Sequence, residues 1–394
     1  MSRLLVECGA ARTRACLVDD QNVVLGFFFA PARGDEAKPR AVAPGQNVVG
    51  KITKRMPAMR GSFVDIGEPI DAFLPDREGG DQLTEGARGV FTVYRPAILE
   101  KGTVLKACAT GLPAEVDYTS GAPLGVMGAP EDSVLEVLRL AGDVSAVSVN
   151  SADAAAIMRA STLAKGLDVN VADSLWADVN GDEAIEAALA PSEMLSSGTR
   201  MIFQETAGGC VVDIDGAAAV RDGVSTDAIN LEAAASIPVS LKRRGIGGRV
   251  LIDFLPPSSK KAGEAFDKSP ALKALGAMGR AHKRASGGVF DMTLARKQAS
   301  LLEQASEITA APDYLRRGRR LRPNWVACAA IEALEAALFL ERSKSFTLRV
   351  GSEIMALIGD NLAWPERITD RFGARFEVTP GPSDWKLKFD VHEK

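Results

Sequence analysis

"VVDIDG", residues 211–216, is an apolar stretch that carries two carboxylates and predicts a strand. Since side chains alternate between the two faces of a strand, Asp213 and Asp215 share one face, and Val212 and Ile214 share the other. An ionised carboxylate is costly on a buried face unless a partner neutralises it. The fold must therefore leave the acidic face open to water or bring a cation to it.

A second apolar strand with an acid in it follows at "RVLIDFLP", residues 249–256, where Asp253 stands among apolar side chains. The segment between the two strands, 227–245, predicts a helix in which Pro238 should produce a kink. A strand, helix, strand order places the two strands parallel in one sheet, and neighbouring strands lie about 4.8 Å apart. Asp213 and Asp253 then lie near the carboxyl ends of their strands, where open α/β sheets bind ligands.

Two interpretations of these acids are open at this point. Carboxylates that converge at one edge repel one another unless a cation lies between them, and oxygen ligands without histidine or cysteine suit Mg²⁺ or Mn²⁺. Alternatively, each acid marks a strand end that is exposed to solvent, since D-x-D-G is also an ordinary turn sequence.

Composition limits the function classes. The chain has 394 residues, of which 46% are hydrophobic, enough for two or three domains. A net charge of −4 does not indicate nucleic-acid binding by the whole surface, so local basic clusters have to carry any such function. Five cysteines without a C-x-x-C pair predict neither a disulfide framework nor a zinc site. We expect a soluble protein in a reducing cytoplasm, because neither a signal peptide nor an apolar run long enough for a bilayer is present.

The rest of the chain predicts several units. Residues 3–30 predict three strands, and five short strands alternate with turns over 47–108, which is typical of a small barrel. From residue 131 onward, helical and strand patterns alternate, which favours an α/β layer. The segment 259–308 predicts largely helical, basic structure, and 323–391 predicts a small α+β unit.

The segment around the two acidic strands resembles the catalytic core of the ribonuclease E/G family. That family carries a D-[VI]-N strand, a helix with N-L-E-A-A, a basic turn that ends in G-G, and an I-D-F strand. The matching positions here are Asp213-Ile214-Asp215-Gly216, Asn230-Leu231-Glu232-Ala233-Ala234, Gly247-Gly248 and Ile252-Asp253-Phe254. The run from Asn230 to Asp253 follows the family pattern without a gap.

The resemblance extends over most of the chain and implies an α/β and α+β multidomain fold. Residues 50–75 resemble the family's OB-fold RNA-binding barrel, the opening strands resemble the RNase-H-like subdomain that this barrel interrupts, and 346–358 resemble the small C-terminal domain. The implied boundaries are 1–36 and 125–205 for the RNase-H-like subdomain, 37–110 for the OB fold, 206–308 for a DNase-I-like catalytic subdomain, 309–322 for a basic linker and 323–394 for the small α+β domain.

The activity that the resemblance implies is Mg²⁺-dependent endonucleolytic cleavage of single-stranded RNA, in RNA processing or decay, with 5′-phosphate and 3′-hydroxyl products. Asp213 and Asp253 match the two metal ligands of the family, and Mn²⁺ could replace Mg²⁺. Asp215 stands where the family has an asparagine that orients the first aspartate, so it could become a further ligand or alter the metal preference. The alternative is an RNA-binding protein of the same fold with weak or lost cleavage.

The resemblance also implies RNA contacts. Phe63 and Phe73 match aromatic positions that stack on bases, although either ring could instead fill the barrel core. The expected phosphate contacts are basic residues, for which a solvated surface is the alternative: Lys101, Lys242, Arg243, Arg244, Arg249, Arg280 and Arg284.

Three departures from the family pattern change the expectations. The family's C-P-x-C zinc motif is replaced by "APDYL" at 311–315, so we expect no zinc, and any homo-oligomer through the small domain would form without a zinc link. The family's motifs for sensing a 5′-monophosphate are not found between residues 109 and 150, where the stretch is shortened to "GLPAEVDYTSGAPLG", 111–125, so cleavage should not depend strongly on that group. The chain ends at Lys394 without a long scaffold, so we expect no partners docked on such a tail. The short apolar runs predict no membrane partner.

Overall fold

The computed structural model describes most of the chain. The sequence predictions on Lys101, Arg284 and the segment 311–315 lie outside the described residues, as does most of the segment 111–125. The described residues are 2–35, 42, 44–97, 102–108, 121, 123–128, 131–206, 208–282, 288–308 and 318–394.

The first sheet combines strands from both sides of the barrel segment. Three of its strands run parallel, and two further strands extend it as an antiparallel meander. In spatial order they are Asp168–Val171, Ala146–Val149, Arg3–Cys8, Arg12–Val18 and Val24–Pro31. Helices Ser133–Ala141 and Ala152–Ala160 pack on one face, and helix Gly181–Leu189 packs with Trp176 on the other. The three strands predicted for residues 3–30 and the α/β layer are confirmed.

The barrel lies between the two halves of this sheet in the sequence. Its five strands are Asn47–Met56, Gly61–Asp65, Ala72–Pro75, Arg88–Arg95 and Val104–Ala107. The first strand pairs with both the second and the fourth, and the fifth pairs parallel with the third, so the sheet closes on itself as in an OB fold. A short strand, Gly125–Val126, adds to the first strand. The predicted five-stranded barrel is confirmed.

A six-stranded sheet carries the two acidic strands. We call Gly209–Asp215 the Asp213 strand, Gly248–Asp253 the Asp253 strand, and Thr226–Arg243 the connecting helix. The two strands are parallel neighbours, as predicted. The connecting helix continues through Pro238 and packs on one face of the sheet together with helices Lys260–Asp267 and Pro270–Ala277. The remaining strands are Ser192–Met194, Arg200–Thr206, Val289–Leu294 and Arg280–Ala281.

The expectation that 259–308 is largely helical is wrong for its central part. Strand Val289–Leu294 pairs with the whole length of the Asp253 strand, and the short strand Arg280–Ala281 follows it at the edge. Phe290 and Met292 are buried while Thr293 is exposed, which is the period of two of a half-buried strand. The basic residues nearby obscured that period.

The C-terminal unit is built on helix Pro323–Leu340. Strands Phe346–Val350, Phe376–Pro380 and Phe389–Glu393 and helices Ser352–Asp360 and Ala363–Phe372 complete it. Among the described residues this first helix alone has the length and apolar composition of a membrane span, but 56% of that span is buried, as in a core helix. A two-stranded ribbon, Ser306–Ile308 with Arg319–Leu321, precedes the unit, and helices Ala217–Arg221 and Leu301–Ala305 are short.

Buried charges hold this C-terminal unit against the first sheet. Arg12 lies 2.6 Å from Glu332 on the helix Pro323–Leu340, and Arg14 lies 3.3 Å from the same carboxylate. One turn further along the helix, Glu335 accepts a hydrogen bond of 3.0 Å from the amide of Ala10. Buried charges of this kind need their partners, so the interface depends on this geometry.

Glu335 should make the stability of this interface depend on pH. Burial raises its pKa from 4.5 to about 7, against the opposing effects of the Ala10 amide and Arg371. The folded protein then holds the proton more tightly than the unfolded chain, so this stabilisation is full below pH 4.5 and is lost as the pH rises to about 7.

A Glu335→Gln substitution keeps the acceptor for Ala10 and removes the ionisation. We expect its free energy of unfolding, relative to the unchanged protein, to rise by roughly 3 kcal/mol across this range, at about 1.4 kcal/mol per pKa unit. Urea unfolding at several pH values measures this, with exposed Glu264→Gln as the matched control. A pH-independent difference for Glu335→Gln would contradict it.

Candidate functional site

The six-stranded sheet has one face covered by helices and one open face. Along the Asp213 strand, Val212 and Ile214 are buried under the connecting helix, whereas Asp213 is exposed and Asp215 is half-buried on the opposite side. The Asp253 strand alternates in the same way and ends with Asp253 exposed. The open face therefore carries the acids that the sequence placed on one side of each strand.

Asp213 and Asp253 lie directly beside each other. They are register partners in the parallel pairing of their strands, whose axes are about 4.8 Å apart. The residues that continue this row on either side, Ile202 and Val289, are apolar. Within the part of the chain that the structure describes, neither carboxylate has an ion pair or a side-chain hydrogen bond. Two like charges thus stand side by side, and the described residues supply no counter-charge to them.

This pair of acids fits a hard divalent cation by its donor chemistry. Both groups offer unpaired carboxylate oxygens to solvent, and Mg²⁺ is typically held by one or two carboxylates together with water. The described residues contain no group of three or more His, Cys, Asp or Glu side chains suited to a metal. Among the described residues, Asp213 and Asp253 would therefore be the carboxylate ligands of any metal at this site, and water would complete its coordination.

Asp215 differs from Asp213 and Asp253 because both of its carboxylate oxygens already have partners. Arg200, directly opposite on the adjacent antiparallel strand, forms an ion pair of 2.7 Å with Oδ2, and the amide of Ala217 donates to Oδ1 over 3.2 Å. The amide of Ala217, and then Arg200, lower the pKa of this carboxyl. Asp215 thereby accepts a hydrogen bond from the first residue of the short helix Ala217–Arg221, whose N-cap is Gly216, and Arg200 neutralises its added charge across the strands.

A second ion pair lies on the open face, further from the aspartate pair. Arg249 is 2.9 Å from Asp291 on strand Val289–Leu294, and this guanidinium lowers the pKa of the Asp291 carboxyl. Arg280 is exposed and lies across from Thr293 on the same face. The sequence reasoning missed Asp291 because its segment was expected to be helical, although the alternation of Phe290, Asp291, Met292 and Thr293 was the available signal.

The phosphate contact expected for Arg244 is contradicted by its position. Arg244 is 4% exposed, and its Nη1 donates to the carbonyls of Ala188 and Ala190 at 2.7 Å each. These acceptors end the helix Gly181–Leu189, and the guanidinium also stacks at 4.0 Å on the ring of Phe203. Arg244 therefore joins the two sheets from inside the protein.

The neighbouring basic residues also lie away from the aspartate pair. Lys242 is exposed at the end of the connecting helix, which covers the opposite face of the sheet. Arg243 is half-buried, donates to the carbonyl of Val24 at 3.1 Å and lies 3.8 Å from Glu193. Of the basic run 242–249, Arg249 is the residue that reaches the open face.

The two phenylalanines of the barrel lie together outside its core. Phe63 and Phe73 are register partners on adjacent strands, with ring centroids 5.9 Å apart at an interplanar angle of 68°. Both are half-buried, while the alternate residues Val64 and Leu74 fill the barrel. The alternative that these rings fill the barrel core is wrong. The ring of Phe73 rests on Gly61, where a Cβ would come within 2.2 Å of it.

Comparison with known proteins agrees with the resemblance seen in the sequence. Residues 135–270 match the family model described as the ribonuclease E/G family, and this segment contains the Asp213 strand, the connecting helix and the Asp253 strand. A search of the curated proteins gave no match to the chain. The resemblance is thereby confirmed for the segment that carries the aspartate pair.

The Arg200–Asp215 ion pair should contribute less to stability than the hydrogen bond that Asp215 accepts from the Ala217 amide. Ion pairs between partly exposed side chains are worth about 0–1 kcal/mol, and a hydrogen bond contributes about 1 kcal/mol. Asp215→Asn keeps an oxygen for the Ala217 amide, so its free energy of unfolding should change by less than about 1 kcal/mol. Asp215→Ala should lose about 1 kcal/mol more. Urea unfolding measures both, with Asp222→Ala at the other end of the helix as the control. Equal effects of the Asn and Ala substitutions would show that the hydrogen bond to Ala217 contributes nothing.

Proposed function

Membership of the ribonuclease E/G family is supported by the matched segment, and on that premise we propose that this protein is a Mg²⁺-dependent endoribonuclease acting on single-stranded RNA. The products would carry 5′-phosphate and 3′-hydroxyl ends, and the activity would belong to cytoplasmic RNA processing or decay. Mn²⁺ could replace Mg²⁺, zinc has no role in the proposal, and any homo-oligomer would form through the C-terminal unit. The RNase-H-like and DNase-I-like assignments and the domain boundaries stay predictions.

The observation that carries the proposal is the register of Asp213 with Asp253. The parallel pairing puts two carboxylates side by side on a face that is not covered by any helix of the described residues, and neither carboxylate has an ion pair there. An RNA strand could reach this face directly, because the sheet has its helices on the other side. A buried or ion-paired arrangement of the same acids would have supported a structural role instead.

Different residues of the open face would have different roles in the proposed cleavage. Asp213 and Asp253 would hold the metal, which when bound supplies Lewis acidity at the scissile phosphate and a more acidic water. Ile202 and Val289 flank the two acids without offering donors that would compete for their oxygens. Arg280 presents a positive charge to phosphates further along the same face.

The barrel would supply selectivity for unpaired RNA. Phe63 and Phe73 present ring surfaces outside the barrel core, and bases can stack on such rings only when they are not paired within a duplex. Lys54 is exposed and lies next to Phe63 in the register of the first two barrel strands, where it could contact a phosphate. Stacking needs no particular base, so the proposal includes little sequence specificity from this surface.

A second candidate function is RNA binding with weak or lost cleavage. The observation that favours it is the Arg200–Asp215 ion pair, which replaces the neutral amide of the family pattern next to Asp213. In this alternative, the aromatic pair and the basic residues still bind RNA, and only the cleavage at the aspartates is weak or lost. Cleavage assays therefore separate the two functions.

Removal of either aspartate should abolish cleavage and leave RNA binding intact. A metal contributes several kcal/mol to such a reaction, so Asp213→Asn and Asp253→Asn should each lower the cleavage rate of an AU-rich single-stranded oligoribonucleotide at least about 100-fold. Calorimetric titration with Mn²⁺ should show weaker metal binding by both variants. Asp222→Asn, an exposed acid outside the site, is the control. If the unchanged protein binds the RNA but shows no Mg²⁺-dependent cleavage, the RNA-binding function replaces the nuclease.

Removal of the aromatic rings should weaken RNA binding without unfolding the barrel. Stacking of one base on an aromatic ring is worth about 1–3 kcal/mol, so Phe63→Ala or Phe73→Ala should raise the Kd for single-stranded RNA about 5- to 150-fold. Phe63→Leu keeps apolar bulk without an aromatic face and should bind nearly as weakly. Fluorescence anisotropy in EDTA measures the Kd, and circular dichroism checks the fold. Unchanged affinity in folded Ala variants would remove these rings from the RNA site.

A further inference from the structure

An arginine that none of the sequence predictions used, Arg200, lies on the open face of the six-stranded sheet. It begins the strand Arg200–Thr206, which pairs antiparallel with the Asp213 strand. Met201 and Phe203 of this strand are buried in the core under the helices, so Arg200 projects from the other face. Its side chain is 48% exposed. Arg200 is therefore accessible to a ligand that reaches the open face.

The register of the strands places Arg200 close to the aspartate pair. Ile202 is the register partner of Asp213, and Arg200 is the register partner of Asp215. Arg200 therefore lies two residues, or about 7 Å, along the strands from the row that contains Asp213 and Asp253. This displacement is toward the carboxyl ends of the two parallel strands, where open α/β sheets bind their ligands.

The other arginines considered on this face lie on the opposite side of the aspartate pair. Arg249 is four residues before Asp253 on the same strand, a distance of about 13 Å. Arg280 lies in the same row as Arg249, because both are register partners of Thr293. A ligand that follows the strand direction across the aspartate pair would thus meet a guanidinium group on each side of it.

Asp215 holds the guanidinium group of Arg200 in place. Its Oδ1 accepts a hydrogen bond of 3.2 Å from the amide of Ala217, and its Oδ2 accepts one of 2.7 Å from Nη2 of Arg200. A guanidinium group has five N–H donors, and within the described residues this is the one hydrogen bond of the Arg200 side chain. The backbone therefore fixes the carboxylate, the carboxylate orients the arginine, and further N–H donors face solvent.

The ion pair with Asp215 does not prevent Arg200 from binding an anion. Both side chains are partly exposed, at 48% and 34%, and ion pairs between such groups are weak in water. A phosphate can accept two parallel hydrogen bonds from the planar guanidinium group, a geometry that favours arginine over lysine. Because Asp215 already restricts the side chain, less conformational entropy is lost when a phosphate binds.

We propose that Arg200, oriented by Asp215, binds the RNA phosphate next to the one that is cleaved and thereby helps to fix the position of the RNA on the aspartate pair. The assignment rests on the RNA substrate of the proposed function. The bound phosphate does not react, so its contact with Arg200 has the same strength before and during cleavage. Arg200 therefore contributes to substrate binding and not to the chemical step. The alternative is that Arg200 only neutralises the charge of Asp215.

A double-variant comparison separates the two roles of Arg200. Cleavage of an AU-rich single-stranded oligoribonucleotide with Mg²⁺ is measured for the unchanged protein, Arg200→Gln, Asp215→Asn and the double variant. Arg200→Gln should raise KM about 10-fold, as expected for one lost charge-assisted hydrogen bond, and leave kcat within about twofold. The double variant should have a KM about 10-fold above that of Asp215→Asn, because the phosphate contact is missing whether or not residue 215 is charged.

RNA binding without cleavage gives a second measurement. Fluorescence anisotropy in EDTA yields Kd at several salt concentrations, and circular dichroism checks the fold of each variant. Arg200→Gln should reduce the slope of log Kd against log salt by about 0.7, the contribution of one phosphate contact. Arg200→Lys keeps the charge and should retain most of the slope. The matched control is Arg221→Gln, which removes an exposed arginine from the helix Ala217–Arg221 and should leave KM, kcat and the slope unchanged.

Three results would overturn the assignment. Equal KM values for the double variant and Asp215→Asn would show that Arg200 only neutralises Asp215. A lower kcat at unchanged KM in Arg200→Gln would move the contact to the reacting phosphate. Unchanged KM and slope in Arg200→Gln would remove Arg200 from the RNA site, and if cleavage is otherwise normal, the proposed nuclease stands. Conversely, if the unchanged protein binds RNA without Mg²⁺-dependent cleavage, the nuclease is refuted, and Kd and its slope in EDTA decide the role of Arg200.

Discussion

The arrangement of the site depends on one constraint, the parallel, in-register pairing of the Asp213 and Asp253 strands. The crossover through the connecting helix joins the two strands in parallel and covers one face of the sheet with apolar side chains. Because side chains alternate along a strand, a shift of one residue would turn Asp253 into the core and expose Ile252. The hydrophobic core therefore sets the position of the carboxylates, and the polar site needs no dedicated scaffold.

Charged groups in this protein fall into two physical classes. Arg12, Glu332 and Arg244 are buried, and each is matched by an opposite charge or by backbone carbonyls, since an unpaired charge inside the protein would be destabilising. Asp213 and Asp253 are exposed and unmatched in the described structure, which costs little in water. The contrast separates charges that hold the units together from charges that are available to a ligand.

Much of the fold follows from sequence periodicity, and much of the site follows from the fold. The alternating pattern around Val212 and the helical segment after it were enough to predict that Asp213 and Asp253 converge. The sequence did not predict features that depend on tertiary packing, such as the direction in which a side chain points. A basic run does not reveal which cation points inward, so Arg244 was assigned to RNA although its guanidinium caps a helix within the core. Asp291 was missed because the basic surroundings of its strand concealed an alternation of only six residues.

At position 215 this chain has an aspartate where the family pattern has an asparagine, and the pairing of the strands determines the effect of that difference. Taken alone, an aspartate in place of the family's asparagine adds a third negative charge beside Asp213. Arg200 lies fifteen residues before Asp215 and belongs to none of the family motifs, so sequence alone does not connect the two. The antiparallel hairpin places the two directly opposite each other, and their ion pair returns the position to neutrality. In the described residues Asp213 and Asp253 therefore remain the unpaired acids of these two strands, although the last residue of the Asp213 strand is an aspartate where the family pattern has an asparagine.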